Sequence, residues 1–259
     1  MLVAIAAVCA SPAAAQVSPE MVKAWNRYVD VVEQERAEQR QSASADRFLA
    51  MDFGPRASDD RRAVMSGQIV VDSVEPTIAG GRSSEVPNAM VHRWRGAVFL
   101  PNVTIESLLA RLEASPPTDE DILQSAVLSR GRDEMRVFMR LRRRKIVTVV
   151  YNTEHDVRFE RVSALRAAST SVATRIAEVR DPARPADTEY AAGGDHGFLW
   201  RLNAYWRYQQ VPGGVIAECE SISLSRSVPA FLRPVLGPIV NGVARESLER
   251  TLNALRTYA

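Results

Sequence analysis

Catalysis needs side chains that titrate, ligate or attack, and this sequence carries few of them at useful spacing. Its three histidines are His92, His155 and His196. None makes a zinc spacing such as His-x-x-x-His with a further ligand, and Glu154-His155-Asp156 would alternate across a strand rather than converge. No metal site and no cofactor is therefore expected. Asp195-His196 follows Gly193-Gly194; a loop at a cavity mouth is where a general base can sit, although loop hydrogen bonding is the commoner use of such a pair. Cys219 lies in a strand pattern with no histidine near it in sequence, which reads as a small buried apolar residue sooner than as a nucleophile. There is no Gly-x-Ser-x-Gly elbow, no phosphate-binding glycine loop and no dinucleotide fingerprint, so hydrolase, kinase and dehydrogenase motifs give no catalytic assignment.

The background is that of a water-soluble globular chain: 259 residues, 46% hydrophobic and 25% charged, with 33 basic against 31 acidic residues. A net charge of +2 offers no field for nucleic acid, and nucleic acid is not an expected partner. The one dense basic cluster, Arg140 to Lys145 without Leu141, reads as a solvated turn or as a transient contact with anionic lipid headgroups. At the N-terminus, the apolar run Leu2 to Ala10, then Ser11-Pro12 and Ala13-Ala14-Ala15, has the small-x-small ending of a secretory leader. It is too short to span a membrane, which takes about 20 apolar residues. Residues 1–15 are thus expected to be a signal peptide and the protein periplasmic or secreted. Removal of the leader would discard Cys9 and leave one thiol.

The elements that must position any site follow. Ser18-Pro19-Glu20 caps an amphipathic helix to about Gln41, with Trp25, Tyr28, Val29 and Val32 at helical spacing. Residues 42–60 read as a linker, so that 16–65 form an N-terminal helix and linker ahead of a main domain at 66–259. A strand at 68–74 and a loop at 80–84 come next. From Ala89 the pattern gives a strand to Leu100, a helix opened by Thr104 and Ser107, a short turn at Thr118 to Asp121, and six strand-like runs. These cover 123–130, 135–142, 146–162, 170–179, 198–209 and 215–224. A helix from Pro229 to Tyr258, interrupted at Gly237-Pro238, closes the chain. Its apolar, proline-rich first part, 229–240, reads as a rigid lead-in or as a lid and membrane-touching edge.

That order, from Ala89 to Ala259, is similar to the START-like superfamily, the polyketide cyclase and lipid transfer superfamily. The stretches that carry the likeness are His92-Arg93-Trp94-Arg95-Gly96, Asn152-Thr153-Glu154-His155, His196 to Arg207, and Glu218 to Leu224. The resemblance implies an α+β helix-grip fold: a curved antiparallel sheet of about seven strands around a long C-terminal helix, with an extra N-terminal helix and strand. It implies a cavity between sheet and helix and, with no motif shared by all members, no particular reaction.

In the last hairpin the even residues Phe198, Trp200, Leu202, Ala204, Trp206 and Tyr208 should face the apolar interior. The turn at Pro212-Gly213 would set Tyr208 opposite Ala217, Trp206 opposite Cys219 and Ala204 opposite Ser221, and would leave Arg207–Glu218 and Tyr205–Glu220 on an outer face. Tryptophans beside Ala217, Cys219, Ser221 and Ser223 can leave room for a hydrophobic small molecule or lipid, with Leu248 and Leu252 of the closing helix as its roof; the same leucines, with Leu255, could instead fill the space. On the long strand either Thr148, Val150 and Asn152 or Val147, Val149, Tyr151 and Thr153 face inward. Three functions compete: a carrier of an oily guest, a cyclase- or hydrolase-type enzyme using Asp195, His196, Tyr208 or Cys219, and an interaction protein with a filled core.

Overall fold

The computed structural model describes residues 17–44, 47–74, 86–117, 120–144, 147–184, 188–227 and 233–259, with side chains of the last segment from 242 onward. The leader, the 80–84 loop and the side chains of the proline-rich segment 229–240 lie outside this set.

Helix α1 (Pro19–Gln41) starts where Ser18 Oγ accepts the Met21 amide at 3.1 Å, and Pro19 presets the first turn. The expected linker is structured instead. It holds a 3-10 helix (Ala50–Phe53) and α2 (Ala57–Met65), which local pattern missed because the burial of Met51 and Val64 is supplied by the sheet beneath them. Then come β1 (Val70–Ser73), β2 (Ala89–Pro101), α3 (Ile105–Ala114), β3 (Ile122–Arg130), β4 (Glu134–Arg144), β5 (Thr148–Ser163), β6 (Arg166–Glu178), β7 (Arg201–Val211), β8 (Gly214–Arg226) and α4 (Arg233–Tyr258). Thr104 and Ser107 form the capping box of α3, each accepting from the other's backbone amide.

All eight described strands join one curved antiparallel sheet, in the order β1-β2-β8-β7-β6-β5-β4-β3. The β7–β8 register is the one the alternation predicts: Tyr208 faces Ala217, Trp206 faces Cys219 and Ala204 faces Ser221. The turn supports it, because Pro212 fixes its own φ and Gly213 adopts φ 84°, the proline–glycine order of a type II turn.

Alternation sorts the sheet into two faces, both covered. On the concave side Val98, Leu100, Ala217, Cys219, Tyr208, Phe159 and Val137 pack with α3 and with Leu248, Leu252 and Leu255 of α4. Gly96 makes the close approach of α4 possible, since a Cβ there would lie 2.7 Å from Leu252 Cδ1. On the convex side α1 lays Met21, Trp25, Tyr28 and Val32 against Tyr205, Ile222 and Leu224. Farther along, Phe48, Leu49, Met51 and Val64 cover Ala97 and Ile216.

The expected solvated outer face is therefore a buried one. Glu218 accepts the Ala50 and Met51 amides at 2.5 and 2.7 Å, and Arg207 donates to the Phe48 carbonyl at 3.0 Å. Glu220 takes Arg93 at 2.5 Å and Arg36 at 3.2 Å, and Arg93 also reaches Glu35 at 2.7 Å. The cross-strand neighbours are correct, yet these carboxylates spend their charge on the N-terminal segment and on β2. Desolvation is the reason such groups must be paired. It lowers the Arg207 guanidinium to about 10, with Arg36 nearby adding to the effect, and raises the Glu218 carboxyl against the pull of Arg207 and Arg95.

Candidate ligand site on the concave face

The site is built from rows that cross the sheet. One row runs Met135, Val157, Ser171, Ala204, Ser221 and Trp94; the next runs Phe159, Ser169, Trp206, Cys219 and Gly96. Trp94, Met139, Val157, Ala204 and Trp206 stay only half-buried although they pack against the main core. Small side chains at Ser171, Ala204 and Ser221 thus form a floor between bulkier walls. Trp206 stacks on Tyr208 with ring centroids 6.0 Å apart and planes 3° from parallel.

Of the β5 alternatives, the second holds for Val149, Tyr151 and Thr153, which share the concave face with Val137 and Met139 through the β4–β5 register, while Val147 precedes the strand and is exposed. The same parity brings in His155, which sequence spacing had set aside. His155 is 3% exposed. Its Nε2 lies 3.1 Å from Thr153 Oγ1 and its Nδ1 3.2 Å from Ser171 Oγ. Burial lowers its pKa to about 4, so the ring is neutral at pH 7. Beside it, Ser169 Oγ and Tyr208 OH are 3.1 Å apart. The signal for Ser171 was present as alternation. His155 continues the alternation of Val149, Tyr151 and Thr153, since the extra residue of the β5–β6 register shift, Thr174, lies on β6; what the residue types left open was which face of β5 is concave.

Phe198 is exposed ahead of β7, and Trp200 is the clear departure among the expected lining residues. It precedes β7 in a bend, and its indole lies on the convex side with Met21, Trp25, Ile222 and Leu224. Alternation could not carry parity across that bend, where the Trp200 amide donates to the Leu224 carbonyl at 2.7 Å and its Nε1 donates to Asp195 at 3.2 Å. Leu202, Ala204, Trp206, Tyr208, Ala217, Cys219, Ser221 and Ser223 lie on the concave side by register. Leu248 and Leu252 lie buried beneath α4, where, with Leu255, they fill the space over β2.

The catalytic candidates do not converge. Asp195 accepts from Gly197 and Trp200, while His196 bonds Glu178 at 2.5 Å through Nδ1 and stacks on Phe198. Burial pushes the Cys219 thiol and the Tyr208 hydroxyl well up, so both hold their protons. Among the described residues, no group of three or more His, Cys, Asp or Glu could hold a metal. The basic cluster is partly committed: Arg140 bonds Asn152 and Gln124, Arg142 the Glu120 carbonyl, and Arg143 pairs with Asp121 and Ser247.

A single antiparallel sheet gripping a long terminal helix, with β2 and α3 leading into six further strands, decides the architecture. The fold is START-like. Similar solved structures include the STAR-related lipid transfer protein of Xanthomonas axonopodis, at 15% identity and a TM-score of 0.45 over 73% of this chain and 97% of its own. Human STARD10 aligns at 10% identity and a TM-score of 0.42, over 79% of this chain and 80% of its own. The Zhui aromatase/cyclase from Streptomyces sp. R1128 aligns at 11% and 0.36, over 65% and 92%. No family model and no curated protein matches the chain. The lipid-transfer and cyclase labels belong to those proteins.

Proposed function

We propose that this chain is an exported protein that takes up a hydrophobic, lipid-like small molecule between the concave face and α4. The observation that carries the proposal is the half-buried group Trp94, Met139, Val157, Ala204 and Trp206, apolar side chains left incompletely covered on the face that α4 packs against. Burying a guest there contributes about 0.8 kcal/mol per methylene, so an acyl chain needs few polar contacts to bind. A lipid-like guest is loaded from a bilayer, and transient membrane contact is part of the proposal.

A catalytic use of the same space has weaker support. The thiol and phenol on this face are held protonated, and an imidazole with a pKa of about 4 is a poor general base at neutral pH.

Native mass spectrometry of the mature chain mixed with a total lipid extract tests the main reading. Retained adducts of lipid mass are expected, and Ala204→Trp, which would fill the floor, should abolish them while the protein still folds. Absence of any adduct from the folded wild type would refute it. Cell fractionation with N-terminal sequencing tests export: a mature start near residue 16 outside the cytoplasm is expected, and an uncleaved cytoplasmic chain refutes that part.

A further inference from the structure

Resting on that pocket reading, we propose that Ser171 recognises an uncharged hydroxyl, so that the polar end of the guest is an alcohol donating a hydrogen bond to Ser171 Oγ. The argument is an accounting of protons. Thr153 Oγ1 lies 3.0 Å from the Met139 carbonyl, which can only accept, so the threonine proton points there. Thr153 Oγ1 is then the acceptor for His155 Nε2 at 3.1 Å, which puts the ring proton on Nε2 and leaves Nδ1 bare. A bare Nδ1 takes the Ser171 proton across 3.2 Å. Ser171 Oγ is left with lone pairs and no proton to give.

A ketone, an ester carbonyl or a carboxylate finds no donor at this point, whereas a hydroxyl finds an acceptor. The relay is also uncharged: its desolvated ring resists protonation down to about pH 4 and supplies no cation for an acid. Thr153 and His155 are sealed at 0% and 3% exposure, so half-buried Ser171 is the member a guest can reach. Its neighbours across the sheet, Val157 and Ala204, are apolar and keep competing polar groups from its immediate sides.

The test compares three probes of equal chain length on the full mature protein at pH 7: octadecan-1-ol, methyl stearate and stearic acid, read by quenching of tryptophan fluorescence. One net hydrogen bond of about 1 kcal/mol predicts a preference for the alcohol of about fivefold over the ester. Ser171→Ala should erase that preference and Ser171→Thr restore it, while Ser66→Ala, at the exposed end of α2 away from this face, leaves it intact. The proposal is overturned if the wild type binds ester or acid as tightly as the alcohol, or if Ser171→Ala keeps the preference. Equal binding of all three probes removes this inference alone, and binding of none removes the pocket reading with it. The wild-type comparison decides the matter even where a variant does not fold.

Discussion

His155 gives the clearest single-residue consequence. Its imidazole takes up a proton near pH 6.5 in the unfolded chain and resists protonation to about pH 4 when folded. Between those values the unfolded state binds more protons, so stability should be constant above pH 6.5 and fall on acidification toward pH 4, by about 3 kcal/mol. Urea titrations across that range should show this limb, and His155→Gln should flatten it. On the opposite face, Glu220 stands between Arg36 and Arg93 with all three side chains buried. Glu220→Ala leaves two buried cations underpaired and should cost about 3–5 kcal/mol, measured by denaturant unfolding. Removing one partner is costly even though replacing the whole cluster by apolar residues can be neutral.

Elements were legible where their signals are local. The caps of α1 and α3 are written in Ser18-Pro19 and Thr104-x-x-Ser107, and the β7–β8 register in strict alternation about Pro212-Gly213. The face of Trp200, the cover over Glu218 and Glu220, and the helical character of 57–65 were not legible, because each is decided by contacts between residues far apart in sequence. Of the candidate site, the small-residue hairpin was readable, while the His155 relay was not, because the residue types of β5 left open which of its two faces is concave. The seating of α4 on β2 is the element most open to test. Gly96→Val would drive side-chain carbons into Leu252 and Val71. It should lower stability by about 1–3 kcal/mol, with a correspondingly reduced thermal midpoint in circular dichroism melts.

For the molecule as a whole, the N-terminal segment is part of the folded body. It covers apolar Tyr205, Ile222 and Leu224 and answers the charges of Glu218 and Glu220. Deleting residues 17–45 should therefore abolish cooperative unfolding and yield aggregated material in size-exclusion chromatography; a soluble, cooperatively melting remainder would contradict this. Strand β8 faces both compartments: Ala217, Cys219 and Ser221 look toward α4, while Glu218 and Glu220 hold the other side. A molecule wedging against one set of its side chains cannot shift them without disturbing the carboxylates anchored behind. Occupancy should accordingly register at a distance, as slower amide deuteration along α1 when the opposite compartment is full.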